Sequence, residues 1–189
     1  MILEIMSKEK AVEYSFEQHN SSSAILSIDK TYAEFTFTEQ YKFSDDENDL
    51  PSISNNLTNG IAAHCIVYFN DVEAGMPNCI KDDDANKIVI FVREVVGKVD
   101  KLIIHCEYGV SRSAGVAAAI LKHFSGNDLL IWGNPRYQPN ITCYRKVMAA
   151  FNEVIEEQEL NEKITLNRSL GFKNNDKTES PTCFCLKMT

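Results

Sequence analysis

Apolar and polar residues follow one another along the chain in two patterns, one typical of strands and the other typical of helices. Short runs that are almost wholly apolar predict strands of a buried sheet. Four such runs occur, at residues 1–6, 22–28, 61–69 and 102–105. A fifth segment, 32–38, alternates polar and apolar residues and predicts an edge strand or a hairpin arm.

Longer segments, in which apolar residues recur every three or four positions, predict helices. These segments cover residues 8–16, 85–97, 114–124 and 141–157. Ser7 is expected to cap the first helix, and the acidic run 82–84 is expected to cap the second. Three side chains of the last helix are expected to face inward: Val147, Phe151 and Val154.

Strands that alternate with helices favour an α/β fold, with a mainly parallel central sheet flanked by helices in three layers. The strand at 102–105 is predicted to lie at the centre of this sheet, with the strand at 61–69 beside it. Segments 43–59 and 125–140 are rich in turn-forming residues and predict surface loops.

We expect one domain, residues 1–160, followed by a polar tail. From 161 to 189 the sequence lacks clear periodicity, which predicts a flexible segment. The total length of 189 residues is likewise typical of a single domain.

Composition and charge narrow the classes of partner. A net charge of −8 argues against nucleic acid or an anionic membrane as the main partner, and no apolar run approaches the length of a membrane span. The six cysteines are irregularly spaced, which favours reduced thiols in a cytoplasmic protein over a disulfide framework. They also lack metal-ligand spacing, so neither a metal nor a cofactor is expected.

Residues 105–113 read His-Cys-Glu-Tyr-Gly-Val-Ser-Arg-Ser and lie between the central strand and a helix of small residues. A loop that leads into a helix directs backbone N–H groups and the positive end of the helix dipole at one point, which suits an anion. The same field favours the thiolate form of a cysteine, so Cys106 is expected to be a nucleophile. Arg112 adds a planar set of donors that matches phosphate oxygens.

These residues resemble the signature of the cysteine-dependent protein tyrosine phosphatases, and the Ser-Arg-Ser-Ala-Gly continuation is most similar to the compact, dual-specificity-like branch. The resemblance spans about residues 61–151. It implies a phosphocysteine intermediate on Cys106, phosphoryl binding by Arg112 and stabilisation of the departing thiolate by Ser113. It also implies that the backbone of the intervening residues binds the phosphoryl group. Those residues are Glu107, Tyr108, Gly109, Val110 and Ser111.

Cleavage of a phosphate ester by a thiolate needs a proton for the leaving oxygen. In the resembling family an aspartate on a separate loop after a strand supplies it, and Asp71 occupies such a position here. Glu73 and Asp82 are the alternatives, although the run 82–84 is equally suited to capping a helix.

Four other positions are given secondary roles. The resemblance implies that His105 orients the loop, although it could simply be a buried histidine. Asn140 ends a segment similar to a late motif in which an asparagine binds the cysteine loop, and it also suits a helix N-cap. Cys65 and Cys143 are alternatives for a thiol that resolves oxidised Cys106, and both also suit core packing.

The leading hypothesis is a metal-independent phosphatase that acts on phosphotyrosine of a protein or peptide, with phosphoserine and phosphothreonine left open. A phosphate-binding module without turnover is the alternative from another class. A third hypothesis retains the enzyme and changes the substrate to an RNA 5′-triphosphate or a phosphoinositide, which favour more basic pockets than this acidic chain offers.

Overall fold

A mainly parallel sheet runs through the centre of the protein in the computed structural model, which describes residues 1–31, 59–172 and 182–185. The strand order is β3-β2-β4-β1-β5. The strands are β1 (Ile2–Ser7), β2 (Ser23–Asp29), β3 (Ile61–Tyr68), β4 (Lys101–Cys106) and β5 (Thr182–Cys185). The first four are parallel to one another, and β5 lies antiparallel to β1 at the edge. The α/β fold class expected from the sequence is confirmed.

Helices cover both faces of the sheet and complete the three layers. They are α1 (Lys8–Phe16), α2 (Asp82–Val95), α3 (Arg112–Ser125), α4 (Leu129–Trp132), α5 (Ile141–Ala150) and α6 (Glu157–Leu170). Helix α1 packs on one face through a small cluster around Ala11, Ile25 and Ile103. The other five helices lie on the opposite face, over the larger core.

Strand β4 lies at the centre, as predicted, because apolar side chains such as Ile103 and Ile104 must be covered on both faces. The expectation that β3 runs beside it is wrong, since β2 lies between them. Ser27 of β2 is in register with His105 of β4. Strands β3, β2 and β4 are adjacent and parallel, so their carboxyl ends lie at the same edge of the sheet. Sites in open α/β sheets form at this end.

The predicted N-cap of α1 is present, whereas the N-cap of α2 is Lys81, and the acidic run 82–84 that was predicted to cap this helix forms its first turn. The Ser7 hydroxyl accepts a hydrogen bond from the Lys10 N–H at 3.3 Å and caps α1. The carboxylate of Asp84 accepts from the Lys81 N–H at 2.9 Å, so α2 begins at Asp82, ahead of the predicted start. The acidic first turn of α2 also complements the helix dipole.

The last predicted helix ends earlier than expected. Asn152 adopts a left-handed conformation with φ of 63°, and the Glu153 N–H donates to the Met148 carbonyl at 3.0 Å. This pairing is a Schellman cap, which stops a helix. Helix α5 therefore ends at Ala150, and Val154, predicted to face inward, is 82% exposed.

Part of the predicted tail has regular structure. Helix α6 crosses the predicted boundary at residue 160, and its Lys163 is buried against Asp128 at 2.8 Å. A buried lysine breaks the apolar periodicity that would reveal a helix in the sequence. Strand β5 pairs with the edge of β1, and the predicted loop 125–140 contains the short helix α4.

Two sequence predictions fall largely outside the described residues, namely the strand at 32–38 and the loop at 43–59. Within the described ranges, no helix combines the length and apolar composition needed to cross a membrane.

Candidate active site

The loop of residues 107–111 links the end of β4 to the start of α3 and turns sharply beside β1. Gly109 makes this turn with φ of 69°. A Cβ atom at this position would lie 2.5 Å from the carbonyl oxygen of Met6, so only glycine fits without displacing β1. The close approach fixes the loop against the central strands.

Cys106 is the last residue of β4, and its side chain is buried on the face that carries the larger core. Its Sγ lies 3.1 Å from Oγ of Ser113, which is in the first turn of α3. A hydroxyl at this distance can donate a hydrogen bond to a thiolate, which stabilises the charged sulfur. The thiol and the hydroxyl that the sequence singled out are therefore in direct contact.

Arg112 is only 2% exposed, although it carries a permanent charge. Its Nη1 donates to the backbone carbonyls of Ile28, Asp29 and Phe69, at 3.3, 3.1 and 2.8 Å. The side chain thus reaches across the ends of β2 and β3 and is held rigidly beside the loop. No local pattern in the sequence indicates this anchoring.

The Nε atom of Arg112 is buried and makes no hydrogen bond within the described part of the chain. A buried donor without a partner costs roughly 1–3 kcal/mol, and more when the group is charged. An anion bound at the start of α3 would satisfy this donor and neutralise the charge. A phosphoryl-binding role for Arg112 stays a prediction.

Neighbouring segments bind the carbonyl groups of the loop from outside. Carbonyl oxygens of Glu107, Val110 and Ser111 accept from N–H groups of Lys8, Gln138 and Asn140, at 3.2, 3.0 and 3.1 Å respectively. Carbonyls held outward are typical of loops whose N–H groups face an anion.

The loop side chains point away from its centre where the structure gives their surroundings. The Glu107 carboxylate pairs with Lys30 at 3.3 Å, which turns this negative charge away from the thiol. Tyr108 is 78% exposed at the rim. The loop's contribution to anion binding is therefore expected from its backbone.

Asp71 lies beside the loop, three residues after β3. One oxygen of its carboxylate, Oδ1, accepts hydrogen bonds from the Ser111 hydroxyl at 2.8 Å and from the Asn140 side-chain amide at 2.7 Å. The carboxylate remains exposed. It is therefore placed where a substrate bound to the loop could reach it.

The alternative carboxylates have other roles or other surroundings. Asp82 forms an ion pair with Lys146 at 2.6 Å and lies in the first turn of α2. Asp84 lies in the same turn and accepts a hydrogen bond from the Lys81 N–H, and burial raises its pKa. Glu73 is exposed in the loop after Asp71. Among these carboxylates, the structure gives a contact with the cysteine loop only to Asp71 within the described residues.

Asn140 connects the loop, Asp71 and α5. Its backbone N–H donates to Ser111, its amide donates to Asp71, and its Oδ1 accepts from the Cys143 N–H at 2.9 Å. The contacts expected for loop support and for a helix N-cap are both present, and a role for Asn140 in function stays a prediction. A Cβ at Gly115 would lie 2.4 Å from the Asn140 carbonyl, so this glycine permits the close approach of α3.

His105 is buried on the opposite face of the sheet from Cys106. Its Nε2 lies 2.6 Å from the Ser27 hydroxyl, and the same hydroxyl lies 2.7 Å from Nε2 of His64. Burial lowers the pKa of His105 to about 4, so the ring is neutral near pH 7. Sequence reasoning missed Ser27 and His64, since a serine and a histidine in separate strands carry no local signal.

Both cysteines weighed as resolving thiols are buried. Burial raises the pKa of Cys143 well above its ordinary value, and the nearby Asp71 and Cys106 raise it further. Burial also raises the pKa of Cys65 to about 11. Such thiols react slowly, because the thiolate is the reactive form. A resolving role for either residue stays a prediction.

Comparisons with known proteins give little beyond this geometry. Neither a protein-family model nor a curated protein matches the chain. A crystal structure of Tk-PTP in the active form is 18% identical, covers 88% of this chain and 90% of its own, and has a TM-score of 0.35. A mutant form of Tk-PTP is 16% identical, covers 88% of each chain and has a TM-score of 0.34. At these values the likeness carries no weight for substrate or mechanism.

Proposed function

We propose that the protein is a cysteine-dependent phosphatase that hydrolyses phosphotyrosine in proteins or peptides. The supporting observation is the convergence of a buried thiol, a buried guanidinium and an exposed carboxylate on one loop. Cys106 and Arg112 flank this loop on either side, and the Asp71 carboxylate accepts a hydrogen bond from the Ser111 side chain of the loop.

The first step transfers the phosphoryl group to the protein. The loop backbone and Arg112 bind the phosphoryl oxygens, and the Cys106 thiolate attacks phosphorus. The bond between phosphorus and the tyrosyl oxygen breaks, and Asp71 in its acid form gives that oxygen a proton. The products of this step are a tyrosyl hydroxyl, a phosphocysteine and the Asp71 carboxylate.

The second step restores the thiolate. Asp71 accepts a proton from a water molecule whose oxygen attacks phosphorus, and the bond between phosphorus and sulfur breaks. The Ser113 hydroxyl, 3.1 Å from Sγ, donates a hydrogen bond to the departing thiolate. Inorganic phosphate leaves, and Asp71 again carries its proton.

The position of Asp71 favours turnover over phosphate binding alone. A binding module needs the loop and Arg112 but has no use for a carboxylate at the loop rim, since a negative charge there repels an anion. The hydrogen bonds from Ser111 and Asn140 offset this repulsion. A site that retains such a carboxylate is better suited to proton transfer.

The surroundings of the loop favour a monophosphate ester over an RNA 5′-triphosphate or a phosphoinositide. Two lysines near the loop, Lys8 and Lys30, are paired with Asp29 and Glu107 at 2.8 and 3.3 Å. Their charges are largely offset, whereas highly charged substrates favour unpaired cations.

We further propose that the protein works in the cytoplasm. Its four cysteines with described side chains, Cys65, Cys79, Cys106 and Cys143, are all free thiols. A catalytic thiol remains reactive where cellular reductants keep it reduced.

Release of phosphate from p-nitrophenyl phosphate tests the enzyme hypothesis. We expect turnover that EDTA does not reduce and that Cys106→Ser abolishes, with Cys79→Ser as the matched control. Absence of turnover in the purified wild-type protein, together with tight phosphate binding, would favour the binding module.

Matched peptides that carry phosphotyrosine, phosphoserine or phosphothreonine test the substrate. We expect the largest kcat/KM for phosphotyrosine. A larger value for an RNA 5′-triphosphate or a phosphoinositide headgroup would contradict the proposed substrate while leaving the enzyme class intact.

A further inference from the structure

Three polar side chains on neighbouring strands form a chain of hydrogen bonds on the face of the sheet opposite Cys106. Ser27 of β2 lies between His64 of β3 and His105 of β4, with its Oγ 2.7 and 2.6 Å from their Nε2 atoms. The strand register explains the contact, because Ser27 is opposite His105 and His64 is two residues before the position opposite Ser27. All three side chains therefore project from one face of the sheet.

The Ser27 hydroxyl has one proton to share between two imidazole nitrogens. It can donate to one ring only, and a bond with the second ring then requires that ring to donate. Burial lowers the pKa of both histidines, so both rings are neutral near pH 7. In a neutral chain of this kind, the tautomer of one ring determines the tautomer of the other.

His105 is the member of this chain that adjoins Cys106. Its Nδ1 is buried and makes no hydrogen bond of ordinary geometry within the described residues. Among the influences on its pKa, the charge of Asp29 favours protonation, whereas His64 and Lys8 oppose it. Interaction with the Cys106 backbone is the weakest of these influences and also favours a proton on the ring.

We propose that Ser27 and His64 are positioning residues that act on Cys106 through His105. In this arrangement the His64 Nε2–H donates to Ser27, and the Ser27 hydroxyl donates to Nε2 of His105. The His105 proton is then held on Nδ1, towards the Cys106 backbone, where a donor supports the conformation of the loop. The proposal rests on the proposed function, in which Cys106 is the nucleophile.

A role confined to stability is the competing interpretation, since a satisfied buried network also stabilises a fold. The rate of Cys106 alkylation by iodoacetamide as a function of pH distinguishes the interpretations, because a purely structural role would not change it, and the assay needs no substrate. The tautomer of His105 shows in addition whether Ser27 orients the ring, and it is measured from the ¹⁵N chemical shifts in a chain that has only four histidines.

The variant Ser27→Ala removes the bridging hydroxyl. We expect a mixed His105 tautomer and alkylation of Cys106 that is slower by about two- to tenfold at mildly acidic pH, the factor that loss of one hydrogen bond produces. Ser27→Thr retains a hydroxyl and should restore both readouts. Ser23→Ala is the matched control, because Ser23 is a buried serine on the same strand that bonds Tyr14 at 2.7 Å.

Unchanged alkylation in Ser27→Ala would overturn the proposal, even with an altered His105 tautomer, as would equal effects in Ser23→Ala. If Ser27→Ala does not fold, His64→Leu serves instead, with His64→Gln retaining a donor near the Nε2 position. Failure of the phosphatase hypothesis is recognised separately. In that case p-nitrophenyl phosphate is not hydrolysed, while the alkylation and tautomer results still decide the role of Ser27.

Discussion

The carboxylate of Asp71 accepts a hydrogen bond from the side-chain amide of Asn140 at 2.7 Å. The same Asn140 binds the cysteine loop through its backbone N–H and caps α5 through its side-chain oxygen. Asn140 thus holds the carboxylate at the loop together with Ser111, whose hydroxyl donates to the same oxygen at 2.8 Å. In the proposed reaction the position of the carboxylate determines whether the proton reaches the leaving oxygen.

Replacing Asp71 by asparagine removes the proton donor and keeps the size of the side chain. We expect kcat for phosphotyrosine peptides to fall by roughly 10²- to 10⁴-fold, the contribution typical of a general acid. Esters with a very good leaving group should lose much less, because their leaving oxygen needs little protonation. Steady-state kinetics on both ester types provide the measurement.

Asp82→Asn is the control for this variant, since Asp82 pairs with Lys146 on the surface. Its rates should match those of the wild type. A wild-type rate in Asp71→Asn, combined with a large loss in Asp82→Asn or Glu73→Gln, would identify a different acid.

Substitutions at Asn140 should separate its cap from its contact with Asp71. Asn140→Ser retains a capping hydroxyl but loses the amide donor, so kcat should fall by about two- to tenfold with little change in stability. Asn140→Ala loses the cap as well, and its free energy of unfolding should drop by about 1 kcal/mol. Urea unfolding and kcat measured on both variants test this separation. Equal kcat in Asn140→Ser and the wild type would mean that the contact with Asp71 is dispensable.

Arg112→Lys keeps the charge but loses the planar donor set that contacts three backbone carbonyls. We expect kcat to fall by about 10²- to 10³-fold, as for other lost transition-state donors, together with a raised KM. Stability should fall too, by about 1–3 kcal/mol, because buried carbonyls lose their partners.

Arg145→Lys is the matched control for Arg112→Lys. Arg145 is a surface residue whose guanidinium binds the Glu157 carboxylate, with one contact at 2.6 Å. Its substitution should change stability by less than about 1 kcal/mol and leave kcat unchanged. A rise in KM alone for Arg112→Lys would mean that Arg112 binds the ground and transition states equally.

Stability should decrease in acid because His105 is buried as a neutral ring. Its pKa is about 4 in the folded protein, below the ordinary 6.5, so the unfolded chain binds more protons between these values. The free energy of unfolding should therefore fall by about 3 kcal/mol from this residue as the pH drops from about 6.5 to about 4.

Urea unfolding of the wild type and of His105→Gln across this pH range checks the effect. The loss of stability in acid should be smaller in His105→Gln, with His19→Gln as a control that behaves like the wild type. Identical pH dependence in His105→Gln and the wild type would contradict a neutral buried His105.

The sequence alone identified the proposed nucleophile and its nearest partners. Cys106, Arg112 and Ser113 lie within one strand–loop–helix segment, so local geometry brings them together whatever the rest of the fold does. The buried strands were also predicted, because a sheet covered on both faces requires continuous apolar runs. Helix α6 was missed, since its buried Lys163 depends on a distant partner, Asp128.

The resemblance singled out Asp71 and Asn140, but only the tertiary structure showed which contacts these and other distant residues make. Asp71 and Asn140 are 69 positions apart, and Ser27 and His105 are 78 positions apart. Their contacts depend on the strand order and on the packing of α5 against α3, and neither can be predicted from the local spacing of residues. The insertion of β2 between β3 and β4 also allowed Arg112 to bind both strand ends, because the carboxyl ends of parallel strands share one edge of the sheet.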